Sequence, residues 1–195
     1  MNQDNRTLRQ RLRQARRALT PAQQTLASTR VFHRIASQLY FRRAKRIAFY
    51  LPSDGEIDPS LLLATALERG QHCYLPCIHP VKENCLLFVR YRHGDRLRSH
   101  RWGMFEPVLR SKALISPRAL DLVFVPLVGF DQDRNRLGMG KGFYDRCFAF
   151  RARSGRLSPK LVGLGHECQK VEKLETNPWD VRMDKIESDC HTYQP

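Results

Sequence analysis

Seven consecutive uncharged residues, Leu122-Val123-Phe124-Val125-Pro126-Leu127-Val128, constrain this chain more than any other segment. The run is too short for a core helix and shows no polar alternation, so it reads as a strand buried on both faces. That requires a sheet covered by helices on each side, with this strand near its centre. Pro126 has no amide to donate, so the ladder is expected to fray or bulge there. Strand signals at residues 47–51, 72–76 and 161–164, with helical patterns at 58–69 and 143–153, extend the reading. The expected architecture is α/β: one domain over residues 1–195 with a mainly parallel sheet flanked by helices. Residues 86–91 and 181–186 are expected as further strands, and the polar, Arg-rich stretch 93–107 mostly as loop.

Two basic helices precede the sheet. Leu8, Leu12, Ala15 and Leu19 recur at helical spacing over residues 6–19, with arginines on the flanking faces. Thr20-Pro21-Ala22-Gln23 predicts a capped start for a second helix to about residue 40, burying Leu26, Phe32, Ile35 and Leu39. Of the net charge of +15, most lies here: residues 1–46 hold twelve Lys and Arg side chains and one acid, Asp4. Such a field suits an anionic partner such as nucleic acid, nucleotide phosphates, polycarboxylates or acidic lipid. The alternative is arginines solvated on exposed helix faces.

Six cysteines at 73, 77, 85, 147, 168 and 190 form no C-x-x-C pair, so reduced thiols in a cytoplasmic protein are expected. No stretch approaches the roughly 18 apolar residues of a membrane helix, and the amino terminus is charged, so no membrane association is expected.

The segment richest in chemistry is Arg136-Leu137-Gly138-Met139-Gly140-Lys141-Gly142-Phe143-Tyr144-Asp145. Its glycines, between the central strand and a helix, let backbone amides turn toward a phosphate, with Arg136 and Lys141 adding full charges. It is not a P-loop, because Gly142 follows Lys141 where Ser or Thr is required, nor a dinucleotide fingerprint. Asp145 reads either as a helix-dipole acid or as a carboxylate for Mg²⁺. Asp131 and Asp133 read as turn-forming residues.

Together with Leu8-Arg9 in a basic helix, Gly55-Glu56-Ile57-Asp58 after the first strand, and Pro126-Leu127-Val128-Gly129-Phe130-Asp131 ahead of the glycine-rich segment, the chain resembles the 5-formyltetrahydrofolate cyclo-ligase family, also called 5,10-methenyltetrahydrofolate synthetase. The resemblance runs in order through nearly the whole chain. It implies an ATP-dependent closure of 5-formyltetrahydrofolate to 5,10-methenyltetrahydrofolate with Mg²⁺, releasing ADP and phosphate through phosphorylation of the formyl oxygen. It implies ATP contacts at Asn5, Arg6 and Arg9 and at Arg136, Leu137, Gly138, Met139, Gly140, Lys141, Gly142, Phe143 and Tyr144, with Lys141, Arg136 and Tyr144 nearest the chemistry. Where the family usually has Lys, this chain has Asn5, and the neighbouring Arg6 is the residue able to supply that charge. On the folate side the implied residues are Leu51, Glu56, Trp102 and Tyr144, and for the metal Asp145 and Asp184. Trp102, Tyr50 and Tyr74 remain alternatives for stacking on the pterin. A monomer is expected.

Two rival readings stay open. Another ATP-using ligase or a kinase could share the glycine-rich loop. A basic RNA-binding protein would use Arg11, Arg13, Arg16 and Arg17 and show a steep salt dependence. Aromatic residues are not interleaved with those arginines, so an obligate nucleic-acid partner is not expected.

Overall fold

A computed structural model describes residues 3–99, 105–151 and 158–195. The chain begins with helices α1 (Gln3–Arg17), α2 (Pro21–Ala36) and the short α3 (Leu39–Arg43). An alternating part follows: β1 (Arg46–Ala48), α4 (Ser60–Glu68), β2 (His72–Ile78), β3 (Leu86–Tyr91), β4 (Leu97–Ser99), β5 (Phe105–Pro107) and β6 (Leu114–Ile115). The chain continues through β7 (Leu122–Pro126), β8 (Gly129–Phe130), β9 (Arg136–Leu137), α5 (Phe143–Phe148), β10 (Lys160–Leu164), β11 (Lys185–Glu187) and β12 (Thr192–Tyr193).

Eight strands form the main sheet in the order β12-β11-β10-β7-β1-β2-β3-β6. The five from β11 to β2 are parallel, and antiparallel strands close both edges. The expected central strand is central: β7 lies between β10 and β1, and its ladder ends at Pro126 opposite Leu164. Leu122 and Phe124 pack with residues of α2 and α4, whereas Val123 and Val125 pack on the opposite face with Phe148 of α5. Covering both faces is what a continuous apolar strand demands.

The connections place a candidate ligand site. From β1 the chain moves through α4 to β2 on one side, and from β7 it moves through α5 to β10 on the other. The order therefore reverses between β1 and β7, and the loops leaving their carboxyl ends border the crevice where open α/β sheets bind ligands.

The second helix corrects two expectations. Thr20 caps it: its hydroxyl accepts from the Gln23 amide at 3.3 Å, and the Thr20 amide donates to the Gln23 side chain at 2.8 Å. Leu26 and Leu39, however, are exposed, and the buried face is Ala27, Ser28, Val31 and Ile35. The small residues are inward because α4 packs close to α2, leaving no room for Leu26. The helix also stops before residue 40. Gln38 takes an extended backbone (ψ 138°), restarting the chain as α3 so that Phe41, rather than Leu39, enters the core. Thr20→Ala removes one side of the capping box and is expected to cost about 1 kcal/mol, read as a lower urea midpoint at unchanged slope.

Three other segments differ from expectation. Residues 93–107 contain the antiparallel β4–β5 ribbon, where Arg98 is paired with the buried Glu106. Residues 181–184 are not strand; β11 starts at Lys185 because the Asp184 side chain turns to accept from the Leu161 amide at 2.7 Å. Helix α5 has a turn at Ala149 with helical backbone again at Phe150 and Arg151, and the expected end, residue 153, lies outside the described residues. The cysteines at all six positions are unpaired thiols.

Candidate active site

The glycine-rich segment does not leave β7 directly. A small hairpin, β8–β9, intervenes, pairing Gly129 with Leu137 and Phe130 with Arg136. Its turn is built on Asp131, whose buried carboxylate accepts from the Asn135 amide and side chain, both at 2.9 Å, and from the Leu174 amide at 3.0 Å. That agrees with the turn-forming reading of Asp131. Helix α1 lies against this hairpin: a Cβ on Gly129 would come within 2.4 Å of Leu12 Cδ1, so a larger residue there would have to displace the buried Leu12 side chain. Beyond β9 the loop turns through left-handed backbone at Gly140 (φ +92°) and Gly142 (φ +65°) and enters α5 at Phe143.

Arg136, at the start of this loop, has a side chain only 6% exposed. Its Nη2 donates to Asp145 Oδ1 at 2.6 Å, and the guanidinium lies 5.9 Å from the centre of the Tyr144 ring. Its Nε is buried without a hydrogen-bond partner among the described residues. Arg9 reaches the same loop from α1, with Nε donating to the Gly138 carbonyl at 2.8 Å and Nη1 to the Asn5 carbonyl at 3.2 Å. Burial lowers the Arg9 pKa, partly offset by Asp180. Of the residues implied for ATP, Arg9 and the 136–144 loop are thus in contact, Asn5 joins through its backbone, and Arg6, Met139 and Lys141 are exposed.

The opposite wall is the loop after β1. Glu56 has a side chain 11% exposed. One oxygen accepts from the Ser53 amide at 3.1 Å and the other lies 3.7 Å from Arg16 Nη1. Burial pushes its carboxyl up to about 7, against the opposing pull of Arg16 and the Ser53 amide. Tyr50 and Tyr144 both sense its charge: burial raises each phenol above its usual range, and Glu56 raises it further. Tyr144 lies beside Arg136, its ring centre 5.9 Å from the guanidinium, and stacks on Phe148. Tyr50 is part of the wall, buried and donating its hydroxyl to the Ile57 carbonyl at 2.5 Å. Leu51 packs against the core beside it. Tyr74 belongs to the core on the α5 face. Trp102 lies outside the described residues.

Three arginines read as solvated or nucleic-acid-binding converge on Asp54, Arg16 from inside the protein and Arg13 and Arg17 from its partly exposed side. Arg13 donates to Asp54 Oδ2 at 2.9 Å, Arg17 pairs with Asp54 Oδ1, and Arg16 is fully buried. Arg16 donates to the Asp54 carboxylate at 2.7 Å, the Asp54 carbonyl at 2.8 Å and the Leu127 carbonyl at 3.3 Å. Although burial acts to raise the Asp54 pKa, bonds from Arg17 and Arg13 and the charge of Arg16 bring it below the usual carboxylate range. His166 Nε2 supports the same loop at the Gly55 carbonyl, 3.0 Å away. Sequence reading missed Arg16 although a signal was present. It follows Leu8 and Leu12 at four-residue steps, on the apolar stripe itself.

The two carboxylates implied for Mg²⁺ are not brought together. Asp145 is held by Arg136 and by the Val181 amide at 3.0 Å; Asp184 is held by Arg151 at 2.7 and 2.8 Å and by the Leu161 amide. Each is committed to its own arginine and amide, so the pair does not fit a single shared ion. Among the described residues there is no group of three or more His, Cys, Asp or Glu side chains placed to hold a metal.

The profile of the 5-formyltetrahydrofolate cyclo-ligase family matches residues 1–188. This chain belongs to that family. It is 37% identical to the 5-formyltetrahydrofolate cyclo-ligase of Haemophilus influenzae over 181 residues, covering 93% of this chain and 95% of that protein. The Escherichia coli K12 protein of the same name is 36% identical over 175 residues, covering 90% and 94%. Among solved structures, the 5,10-methenyltetrahydrofolate synthetase of Aquifex aeolicus superposes with a TM-score of 0.81 at 27% identity, covering 97% of this chain and 92% of that one. Family membership makes the reaction class that of a cyclo-ligase. Among the described residues no helix is long and apolar enough to cross a membrane.

Proposed function

We propose that this protein uses ATP to close 5-formyltetrahydrofolate to 5,10-methenyltetrahydrofolate in the crevice between β1 and β7. The observation that carries the reading is that helix α1 holds both loops at once, with Arg9 donating to the Gly138 carbonyl of the glycine-rich loop and Arg16 bonded to Asp54 and Leu127 and 3.7 Å from the buried Glu56 carboxylate. In this reading the triphosphate lies along residues 136–144, met by Arg9, Arg136 and Lys141. Glu56 accepts hydrogen bonds from the amino-pyrimidinone edge of the pterin, with Leu51, Tyr144 and Trp102 beside the ring system.

The formyl oxygen attacks the γ-phosphorus and ADP departs, leaving the carbon bonded to a phosphate. The anilino nitrogen adds to that carbon and gives up its proton to solvent, and phosphate leaves with the former formyl oxygen, completing the amidinium. No side-chain nucleophile is needed. The protein's work is to align the two substrates and to neutralise charge developing on the phosphoryl oxygens, which suits Arg136, Arg9 and Lys141. Mg²⁺ enters this reading as the companion of the nucleotide phosphates rather than as an ion clasped by Asp145 and Asp184. The protein is proposed to act in the cytoplasm as a monomer. Arg16, one of the four arginines on which the RNA-binding reading rests, is fully buried, and Arg13 and Arg17 pair with Asp54, which favours the enzyme.

The test is the absorbance of the methenyl product, formed from 5-formyltetrahydrofolate only when ATP and Mg²⁺ are both supplied. Absence of cyclised product with soluble protein refutes the reading, and phosphoryl transfer to another acceptor selects the kinase alternative. Lys141→Ala is expected to weaken the use of ATP by about tenfold in kcat/KM, as loss of one charge-assisted contact implies. Unchanged ATP kinetics would remove Lys141 from the site.

A further inference from the structure

Arg16 carries a full charge with no solvent exposure, and the proposed mechanism does not use it. Burying a guanidinium is costly unless its donors are satisfied and its charge is matched. Asp54 does not by itself account for that cost, because Arg13 and Arg17 already pair with the same carboxylate from the partly exposed side. Three guanidiniums around one carboxylate leave positive charge to spare. Glu56 is the second carboxylate that Arg16 faces, with Nη1 3.7 Å from Oε1. The same Nη1 donates to the Leu127 carbonyl, just beyond β7, while Nε and Nη2 hold Asp54 in the loop beyond β1. One side chain thus ties both loops of the crevice to α1.

We propose that Arg16 is the positioning residue of the folate subsite, holding Glu56 ionised and aimed from inside the protein so that its carboxylate can receive the donors of the pterin edge. This rests on Glu56 being the folate-side carboxylate. Arg16 itself is sealed from ligand and acts only through Glu56. The other groups around Glu56 do not replace it. Asp54 is a like charge on the same loop, Tyr50 and Tyr144 are neutral phenols held above their usual range, and His166, at the Gly55 carbonyl, is biased toward its neutral form by burial. Among the described residues Arg16 is the cation at ion-pair distance from Glu56, and its loss should leave that carboxyl protonated to higher pH.

The experiment is steady-state kinetics between pH 6 and 9 on wild type, Arg16→Lys, Arg16→Gln, Glu56→Gln and the Arg16→Gln/Glu56→Gln double variant, each against an enzyme-free blank. For wild type the acid limb of kcat/KM for the folate should lie near 7, following the Glu56 carboxyl. Arg16→Gln should raise the folate KM by about tenfold, leave the ATP KM within about twofold, and move the acid limb up by about one pH unit. In the Glu56→Gln background the same change should add little, since the two residues act as one unit. Arg16→Lys guards against a Gln variant that fails to fold. It keeps the charge but not the fork, so it should hold the acid limb near its wild-type position while raising the folate KM several-fold. Losses shared equally by ATP and folate, or an Arg16→Lys variant with an unchanged folate KM, would reduce Arg16 to a structural ion pair and overturn the proposal. Should Glu56→Gln itself leave the folate KM unchanged, it is the placement of the pterin that fails, and that result is read separately from the Arg16 variants.

Discussion

Arg136→Met is expected to lower kcat/KM for ATP by roughly 10²–10³-fold, the scale of removing a preorganised charged donor from a phosphoryl-transfer site. The side chain is almost fully buried, spends Nη2 on Asp145 and keeps Nε without an acceptor among the described residues. Guanidinium donors held in place but not consumed need no reorganisation when charge develops on a transferring phosphoryl group. Methionine fills the stem volume without the charge, and Asp145 retains its bond from the Val181 amide, so the helix entry should survive. The measurement is the rate of methenyl formation against ATP concentration, with thermal unfolding alongside. Arg136→Lys should recover only part of the loss, because a point charge lacks the planar fork. A soluble Arg136→Met protein losing less than about threefold would take Arg136 out of the chemistry.

Glu56→Gln is expected to cost folate affinity and at the same time stabilise the protein at alkaline pH. The carboxyl titrates near 7 in the folded chain, above its ordinary value of 4.5. Between those values the folded state binds more protons than the unfolded one, so this group's contribution to stability is fully present below about 4.5 and is lost as pH rises through 7. At pH 8 the ionised, buried carboxylate costs up to about 3 kcal/mol relative to a neutral group. Urea unfolding of wild type and Glu56→Gln at pH 5 and pH 8 isolates the term, since other titrating groups cancel in the difference. The variant should gain stability over wild type at pH 8 far more than at pH 5, while the folate KM rises by about tenfold or more and the ATP KM stays nearly constant. A stability difference that does not change with pH would mean that Glu56 titrates as an ordinary surface acid. The expected trade is that of a site kept under strain for function.

How much of this was legible beforehand follows from how local each signal is. The β7 run, the Thr20 capping box, the β3 strand and the glycine-rich loop depend on neighbours within a few residues, and each appears at or near its expected place. Leu26 went the other way because the rotation of α2 about its axis is set by α4, a partner distant in sequence, and Leu39 because the break at Gln38 restarts the chain as α3 and turns Phe41 inward. The strand expected over residues 181–186 was shortened by a side chain, Asp184, bonding to another strand's amide and to Arg151. The hairpin β8–β9 escaped notice because two-residue strands are too short to carry a periodic pattern.

Residue order along the chain was enough to specify an α/β sheet with β7 inside it and to mark the 136–145 segment as chemically distinctive, whereas Glu56 stood out only through the family resemblance. The sheet and that segment follow from short-range pattern, from apolar runs, glycine spacing and charges in a few adjacent residues. Only the tertiary structure decided which arginines of the basic amino-terminal helices are solvated and which are buried, and that Arg9 and Arg16, seven residues apart on α1, reach opposite walls of one crevice. The physical reason is that a guanidinium's role is set by the acceptor it meets, and Asp54, Glu56, Leu127 and Gly138 arrive from 38 to 129 positions away.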